Sequence, residues 1–161
     1  MRKRRAIVLC LTVCCLAGCL GYAPEPLFRS DIKTIYVEAF DNRTFRRGLE
    51  VALTRAIADE IRLRTPFAFA PKERADSILS GELLDFEESS YVKSEDDRVL
   101  LNRVTARVRF RWRDRLTGRD IVPEQTVEES ARIAETLEDS LFDLVFQETA
   151  QRVVERMQKS W

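Results

Sequence analysis

The sequence predicts an α+β fold, a two-layer sandwich in which a mixed four-stranded sheet carries two helices on one face. Four segments are predicted strands, two of them with clear alternation of apolar and polar residues, and two other segments repeat apolar residues at helical spacing. Turn-forming residues separate these segments, which gives the order β-α-β-β-β-α along the chain. Each helix must bury one apolar stripe, and a shared sheet face can cover both stripes.

The first strand and the first helix are predicted between Ile32 and Pro66. Residues 32–40 alternate in polarity, as expected for a half-buried strand. The polar residues 41–44 then predict an N-terminal helix cap, because short polar side chains satisfy free helical N–H groups. An apolar residue recurs at every fourth position along one helical stripe, which Thr65-Pro66 ends. This stripe consists of Leu49, Leu53, Ile57 and Ile61.

Three more strands and a long helix are predicted to follow. Residues 76–87 and 99–114 are predicted strands, the second with a clear alternation of faces, and the first and second strands of the chain could pair in parallel through the first helix. A turn at 116–119 favours an antiparallel return over 120–129, where Pro123 indicates an edge position or a bulge. Residues 135–159 predict the closing helix. The expected core is Leu53, Ile57, Val108, Phe110, Leu141 and Val145.

The N-terminus has the layout of an export signal. Residues 2–5 are basic, residues 6–16 are apolar except for Thr12, and small residues lead into Cys19. The apolar run is too short to span a membrane comfortably, which favours a secretory signal. Leu16-Ala17-Gly18-Cys19 matches a bacterial lipobox, in which the cysteine is lipidated, with palmitate among the expected acyl groups. An ordinary signal peptide, or an apolar anchor with an incidental cysteine, is the alternative.

This interpretation divides the chain into a signal peptide (1–18), a lipidated Cys19 with its tether (19–30) and a single domain (31–161). All four cysteines lie at or before position 19, so the domain has no disulfide. Cleavage leaves 143 residues with 23 basic and 27 acidic side chains, a net charge of −4. This acidic balance argues against general nucleic-acid binding. Leu20 replaces the aspartate that would favour retention at the inner membrane, so we expect the outer membrane and a periplasm-facing domain.

The sequence offers no convincing set of catalytic residues. It contains no histidine, and no P-loop, Rossmann turn, catalytic triad or zinc motif is present. The acidic run at residues 82–88 has neither an orienting histidine nor the spacing of a Ca²⁺ loop. We therefore expect a protein that is not an enzyme and has no metal or cofactor.

Several short motifs resemble the family of the lipopolysaccharide-assembly lipoprotein LptE. They are Gly21-Tyr22 near the lipidated cysteine, the strand Ile32–Val37, the run from Phe40 to Glu50, Leu53-Thr54, and the strand Asp76–Gly81. The resemblance covers essentially the whole mature chain, although the chain is short and its central loop at 89–97 differs from the best-known members.

The resemblance implies an outer-membrane lipoprotein that partners and plugs the barrel LptD in lipopolysaccharide transport. Its partners would be an LptD-type barrel, lipopolysaccharide and the membrane that holds the lipid anchor. The alternative is a lipidated periplasmic regulator of a cell-wall synthase, which usually needs a long tether. Residues 20–30 span at most roughly 40 Å, and this length favours a partner at the membrane.

The third strand carries a row of arginines on the face opposite its apolar residues. A guanidinium fork binds phosphate or carboxylate through two parallel hydrogen bonds, so the row could contact lipopolysaccharide or another anionic partner. A solvated face paired with acids such as Glu82, Glu124 or Glu128 is the favoured alternative. The candidate contact residues are Arg103, Arg107, Arg109, Arg111 and Arg113.

Overall fold

The structure is a computed structural model that describes residues 28–93, 99–134 and 138–158, with side chains described over 28–89, 103–132 and 142–158. The predicted signal peptide and Cys19 lie outside these residues. The described part is a mixed sheet with two helices. Its elements are β1 (Thr34–Val37), β2 (Asp41–Asn42), α1 (Leu49–Arg64), β3 (Ala68–Phe69), β4 (Ser77–Lys93), β5 (Val99–Asp114), β6 (Asp120–Ala134) and α2 (Glu138–Gln158).

The sheet order is β3-β1-β4-β5-β6, with β2 paired to β4 beyond the end of β1. The β1–β4 pair is parallel, as the sequence predicted, and β4, β5 and β6 form an antiparallel meander. The fold class is therefore confirmed. The two strands absent from the prediction, β2 and β3, have two residues each, and a segment so short cannot display a period.

The predicted strand boundaries need correction at three places. β1 covers four residues rather than nine, because the chain leaves the ladder with β4 after Val37 and pairs with β4 again as β2. β4 and β6 extend to Lys93 and Ala134, so the predicted loop at 89–97 is strand at its start, and residues 94–98 lie outside the described residues. The ladder with β5 continues from Ser89 opposite Arg103 to Lys93 opposite Val99. Backbone hydrogen bonds of the ladder sustain this extension.

The core lies between one sheet face and both helices. β4 and β5 contribute alternate residues to it, including Leu83 and Val108, while α1 contributes its predicted stripe and α2 contributes residues such as Val145 and Val153. Of the six expected core residues, five have at most 1% exposure, while the side chain of Leu141 lies outside the described ones. These five are Leu53, Ile57, Val108, Phe110 and Val145. One contiguous core explains why both helices cover the same face.

The N-terminal boundary of the domain lies earlier than predicted. Phe28 is 7% exposed, and its ring packs edge-on against Phe67 with centroids 5.2 Å apart. Ile32 is also buried. The predicted tether at 19–30 is therefore too long at its carboxyl end, because its last residues belong to the packed domain.

The Pro123 prediction is confirmed in both respects. β6 lies at the edge of the sheet, and its pairing with β5 shifts register between Gln125 and Val122. Two residues of β6 therefore oppose one residue of β5, and the missing N–H of proline does not interrupt a central ladder. Neither helix in the described part of the chain is long and apolar enough to cross a membrane.

The predicted cap of the first helix is wrong. The N-cap is Gly48, with φ of 90° and no side-chain cap. Asn42 instead shapes the preceding loop: its Oδ1 accepts from the Thr44 N–H at 2.8 Å, and its Nδ2 donates to the Arg46 carbonyl at 2.5 Å. The same Nδ2 donates to Glu50 at 2.7 Å. The polar run thus fixes a turn before the helix, a role that short amide side chains share with capping. Residues 43–48 are called the 43–48 loop below.

Candidate functional site: the arginine face

The arginine row lies on the sheet face opposite the helices. Successive residues of a strand point to opposite faces, so the burial of Val108, Phe110 and Trp112 in the core directs their neighbours outward. β5 lies between β4 and β6, and the row therefore runs along the middle of this three-stranded surface. We call this surface the arginine face. The structure places all five predicted residues there, from Arg103 to Arg113.

Glu82 is the central acid of the arginine face. Its side chain is 15% exposed and faces Arg109 directly across the β4–β5 ladder. Arg109 donates to Glu82 from Nε at 2.8 Å and also from Nη2, while Arg43 donates from Nε at 2.7 Å. One carboxylate therefore binds two guanidinium groups. The negative charge of Glu82 offsets the repulsion between these like charges on the arginine face.

These hydrogen bonds alter the ionisation of Glu82. The donation from Arg43, followed by that from Arg109, lowers the pKa of the Glu82 carboxyl from its usual value, although burial acts in the opposite direction. Hydrogen bonds to the charged form favour that form over the protonated one. Glu82 is thus ionised throughout the physiological pH range.

Other acids pair with much of the remaining row. Asp85 accepts from Arg107 at 3.0 Å, and Asp120 lies 3.9 Å from Arg111. Glu124 lies 3.9 Å from Arg109. The predicted pairing with Glu82 and Glu124 is therefore present, and Glu128 lies opposite Arg107 in the β5–β6 register.

The row still presents guanidinium surface to solvent. The side chains of Arg107, Arg109 and Arg111 remain 39–47% exposed. Arg113 has no carboxylate within ion-pair distance in the described part of the chain. A shallow depression of about 300 Å³ joins Arg109, Arg111 and Arg113. Four carboxylates also line it, those of Glu38, Asp41, Glu82 and Glu124, so its guanidinium groups are balanced by acids.

Arg43 is the member of this surface that the sequence did not predict. It follows β2, and its N–H donates to the Leu83 carbonyl at 2.9 Å, which brings its side chain beside Glu82. The β2–β4 pairing creates that neighbourhood, and a two-residue strand gives no sequence signal. Among the described residues, no group of three metal-ligating side chains could hold a metal ion.

The mixed sheet with two helices on one face and a charged opposite face defines a small domain of the lipoprotein class. The chain belongs to the LptE lipopolysaccharide-assembly family, whose sequence profile matches residues 32–157. Membership of this family indicates a role in lipopolysaccharide assembly. The proteins of this family are not enzymes.

Solved structures share the fold at low sequence identity. Protein XCC0632 from Xanthomonas campestris matches with a TM-score of 0.62 at 12% identity, covering 85% of this chain and 90% of that one. Protein CT253 from Chlamydia trachomatis matches with 0.59 at 11%, covering 80% and 97%. Lipoprotein B from Nitrosomonas europaea matches with 0.51 at 13%, covering 86% and 89%. No curated protein sequence matches this chain.

Proposed function

We propose that this chain is an outer-membrane lipoprotein that partners and plugs an LptD-type barrel in lipopolysaccharide transport. The observation that carries the proposal is the family match across residues 32–157, which includes all six described strands, α1 and all but the last residue of α2. The arginine face supports it, because a strongly charged sheet surface left uncovered by the helices suits a polar barrel lumen or a phosphorylated lipid.

The proposed anchor is Cys19, lipidated after removal of residues 1–18. Phe28 is already packed in the core, so only the eight residues 20–27 separate the anchor from the domain, a reach of about 30 Å. A domain held this close to the bilayer suits a partner embedded in the same membrane. The short reach argues against the alternative, a regulator that crosses the periplasm to a cell-wall synthase.

Affinity purification of the full-length lipoprotein from its own outer membranes tests the proposed function. A stoichiometric barrel protein of the LptD type should be retained after detergent extraction. Recovery of the lipoprotein without any barrel, or with a cell-wall synthase in its place, would contradict the proposal.

The lipid anchor makes a separate prediction. Cys19→Ser should abolish acylation, and the chain should appear in the soluble fraction or as an uncleaved precursor, because several acyl chains supply the membrane affinity. Intact-mass measurement of the wild-type protein should show a lipidated residue 19 at the N-terminus. A mature wild-type chain that begins elsewhere without lipid would refute the assignment.

The arginine face is proposed to contact the anionic partner, with Arg103, Arg107, Arg109, Arg111 and Arg113 as its candidate residues. The triple variant Arg107→Gln, Arg109→Gln, Arg111→Gln should fold but lose barrel or lipopolysaccharide association. The wild-type association should also weaken as salt rises, because salt screens exposed charges. Melting temperature and barrel retention are measured on the same variant.

The opposite outcome would indicate a structural role for the arginine row. A variant that binds normally but melts at a lower temperature would assign the row to stability alone. Arg119→Gln is a matched control, since Arg119 is exposed in the β5–β6 turn rather than on the row. It should alter neither quantity.

A further inference from the structure

Phe45 is the most exposed large apolar residue that the structure describes, and nothing within the described fold uses it. Its relative exposure is 107%, at the tip of the 43–48 loop. Phe69, the other exposed phenylalanine, lies beneath the Arg62 guanidinium at 4.6 Å. Phe45 has no such cation and no ring contact among the described residues. An exposed aromatic ring can serve as the anchor of an interface when a partner pocket buries it.

The loop that carries Phe45 is fixed from both sides. Asn42 holds it through the Thr44 N–H and the Arg46 carbonyl. Glu50 also accepts from the Gly48 N–H at 3.0 Å. These bonds tie the start, middle and end of the loop to β2 and α1, so binding would not have to order it.

Arg46 anchors the loop to the domain while leaving Phe45 outside. Its guanidinium lies 5.8 Å from the Phe86 ring and 5.6 Å from the Phe142 ring, and it pairs with Glu88 at 2.6 Å. The next residue, Arg47, has no ion pair with any described residue. Exposed Val51 follows on the first turn of α1. The surface therefore combines an apolar tip with adjacent positive charge.

The position of the loop favours a protein partner over the bilayer. The chain enters the domain at Phe28, whose ring contacts Phe67 just beyond the carboxyl end of α1. The 43–48 loop precedes the opposite end of that 16-residue helix, about 24 Å away along its axis. The point where the chain enters the domain, Phe28, and the 43–48 loop thus lie toward opposite ends of the domain.

We propose that the 43–48 loop docks on the barrel partner, with Phe45 inserted into an apolar pocket rimmed by carboxylates that face Arg47. This inference rests on the proposed function and identifies one contact surface for it. Phe45 supplies the buried anchor. Arg47 supplies charge complementarity, which affects the rate of association more than the final affinity.

A photoreactive phenylalanine analogue at position 45 tests the contact in the full-length lipoprotein in its own outer membrane. Irradiation should crosslink position 45 to the barrel. The matched control carries the same analogue at Leu116, which is 78% exposed in the β5–β6 turn, and should give no barrel crosslink. Crosslinks from position 45 to lipid alone would overturn the inference in favour of a membrane contact.

Affinity measurements on the purified complex complete the test. Phe45→Ala should weaken barrel binding by about 10- to 100-fold, the effect of losing a central aromatic anchor, whereas Leu116→Ala should change it less than about twofold. Both variants should melt like wild type, since both side chains are exposed. If wild type binds the barrel and Phe45→Ala binds equally well, the docking inference fails and the proposed function stands. If wild type captures no barrel, the proposed function fails first.

Discussion

Gly81→Ala is expected to destabilise the domain by about 3 kcal/mol, at the upper end of overpacking effects. Gly81 lies on the core face of β4, between buried Leu79 and Leu83. A Cβ at this position would overlap the Phe40 ring and approach the Arg109 carbonyl oxygen within 2.5 Å. Backbone cannot move aside as a flexible side chain can, and Phe40 is itself 2% exposed. Thermal or urea unfolding of the purified domain measures the loss.

A neighbouring substitution provides the control for this steric effect. Ser80→Ala changes the next residue on the outer face and should shift stability by less than about 0.5 kcal/mol. Combining Gly81→Ala with Phe40→Leu should recover only part of the stability lost in Gly81→Ala, because the clash with the Arg109 carbonyl oxygen persists. A Gly81→Ala variant that melts with the wild type would mean that the Phe40 ring does not occupy this space.

The long, regular elements could be predicted from sequence because burial repeats along them. β5 alternates from Val104 to Trp112 with every second residue buried, and this alternation also predicted which arginines face outward. Leu53 and Ile57 on α1 follow from the helical period in the same way. Such patterns assign a residue to a face without requiring its partner.

The parts that escaped prediction depend on pairing between distant segments. β2 joins β4 through two residues, and only this pairing brings Arg43 to Glu82. Phe28 resembled a tether residue because its partner, Phe67, lies far along the chain. The Asn42 turn was mistaken for a cap because both arrangements use a short polar side chain to satisfy backbone N–H groups.

The candidate site likewise has parts that follow from the sequence and parts that do not. Its position on β5 and two of its acidic partners, Glu82 and Glu124, follow from alternation and from the order of the strands. The exposure of Phe45 could not be predicted, because an aromatic residue between polar neighbours at a helix start equally suits a buried staple. Only the packed structure separates the two roles.

Leu53→Ala is expected to lower the free energy of unfolding by about 2–5 kcal/mol, because it removes a side chain with 0% exposure from the interface between α1 and the sheet. For a domain of this size the melting temperature should fall by roughly 6–15 °C. Leu63→Ala is a matched control, since it makes the same chemical change on the same helix at a side chain that is 77% exposed. It should leave the melting temperature within about 2 °C of wild type. Equal effects of the two substitutions would contradict the packing of both helices on one face of the sheet. A loss confined to Leu53 would show that α1 is held by its buried stripe, which leaves the opposite surface of the helix free for partners.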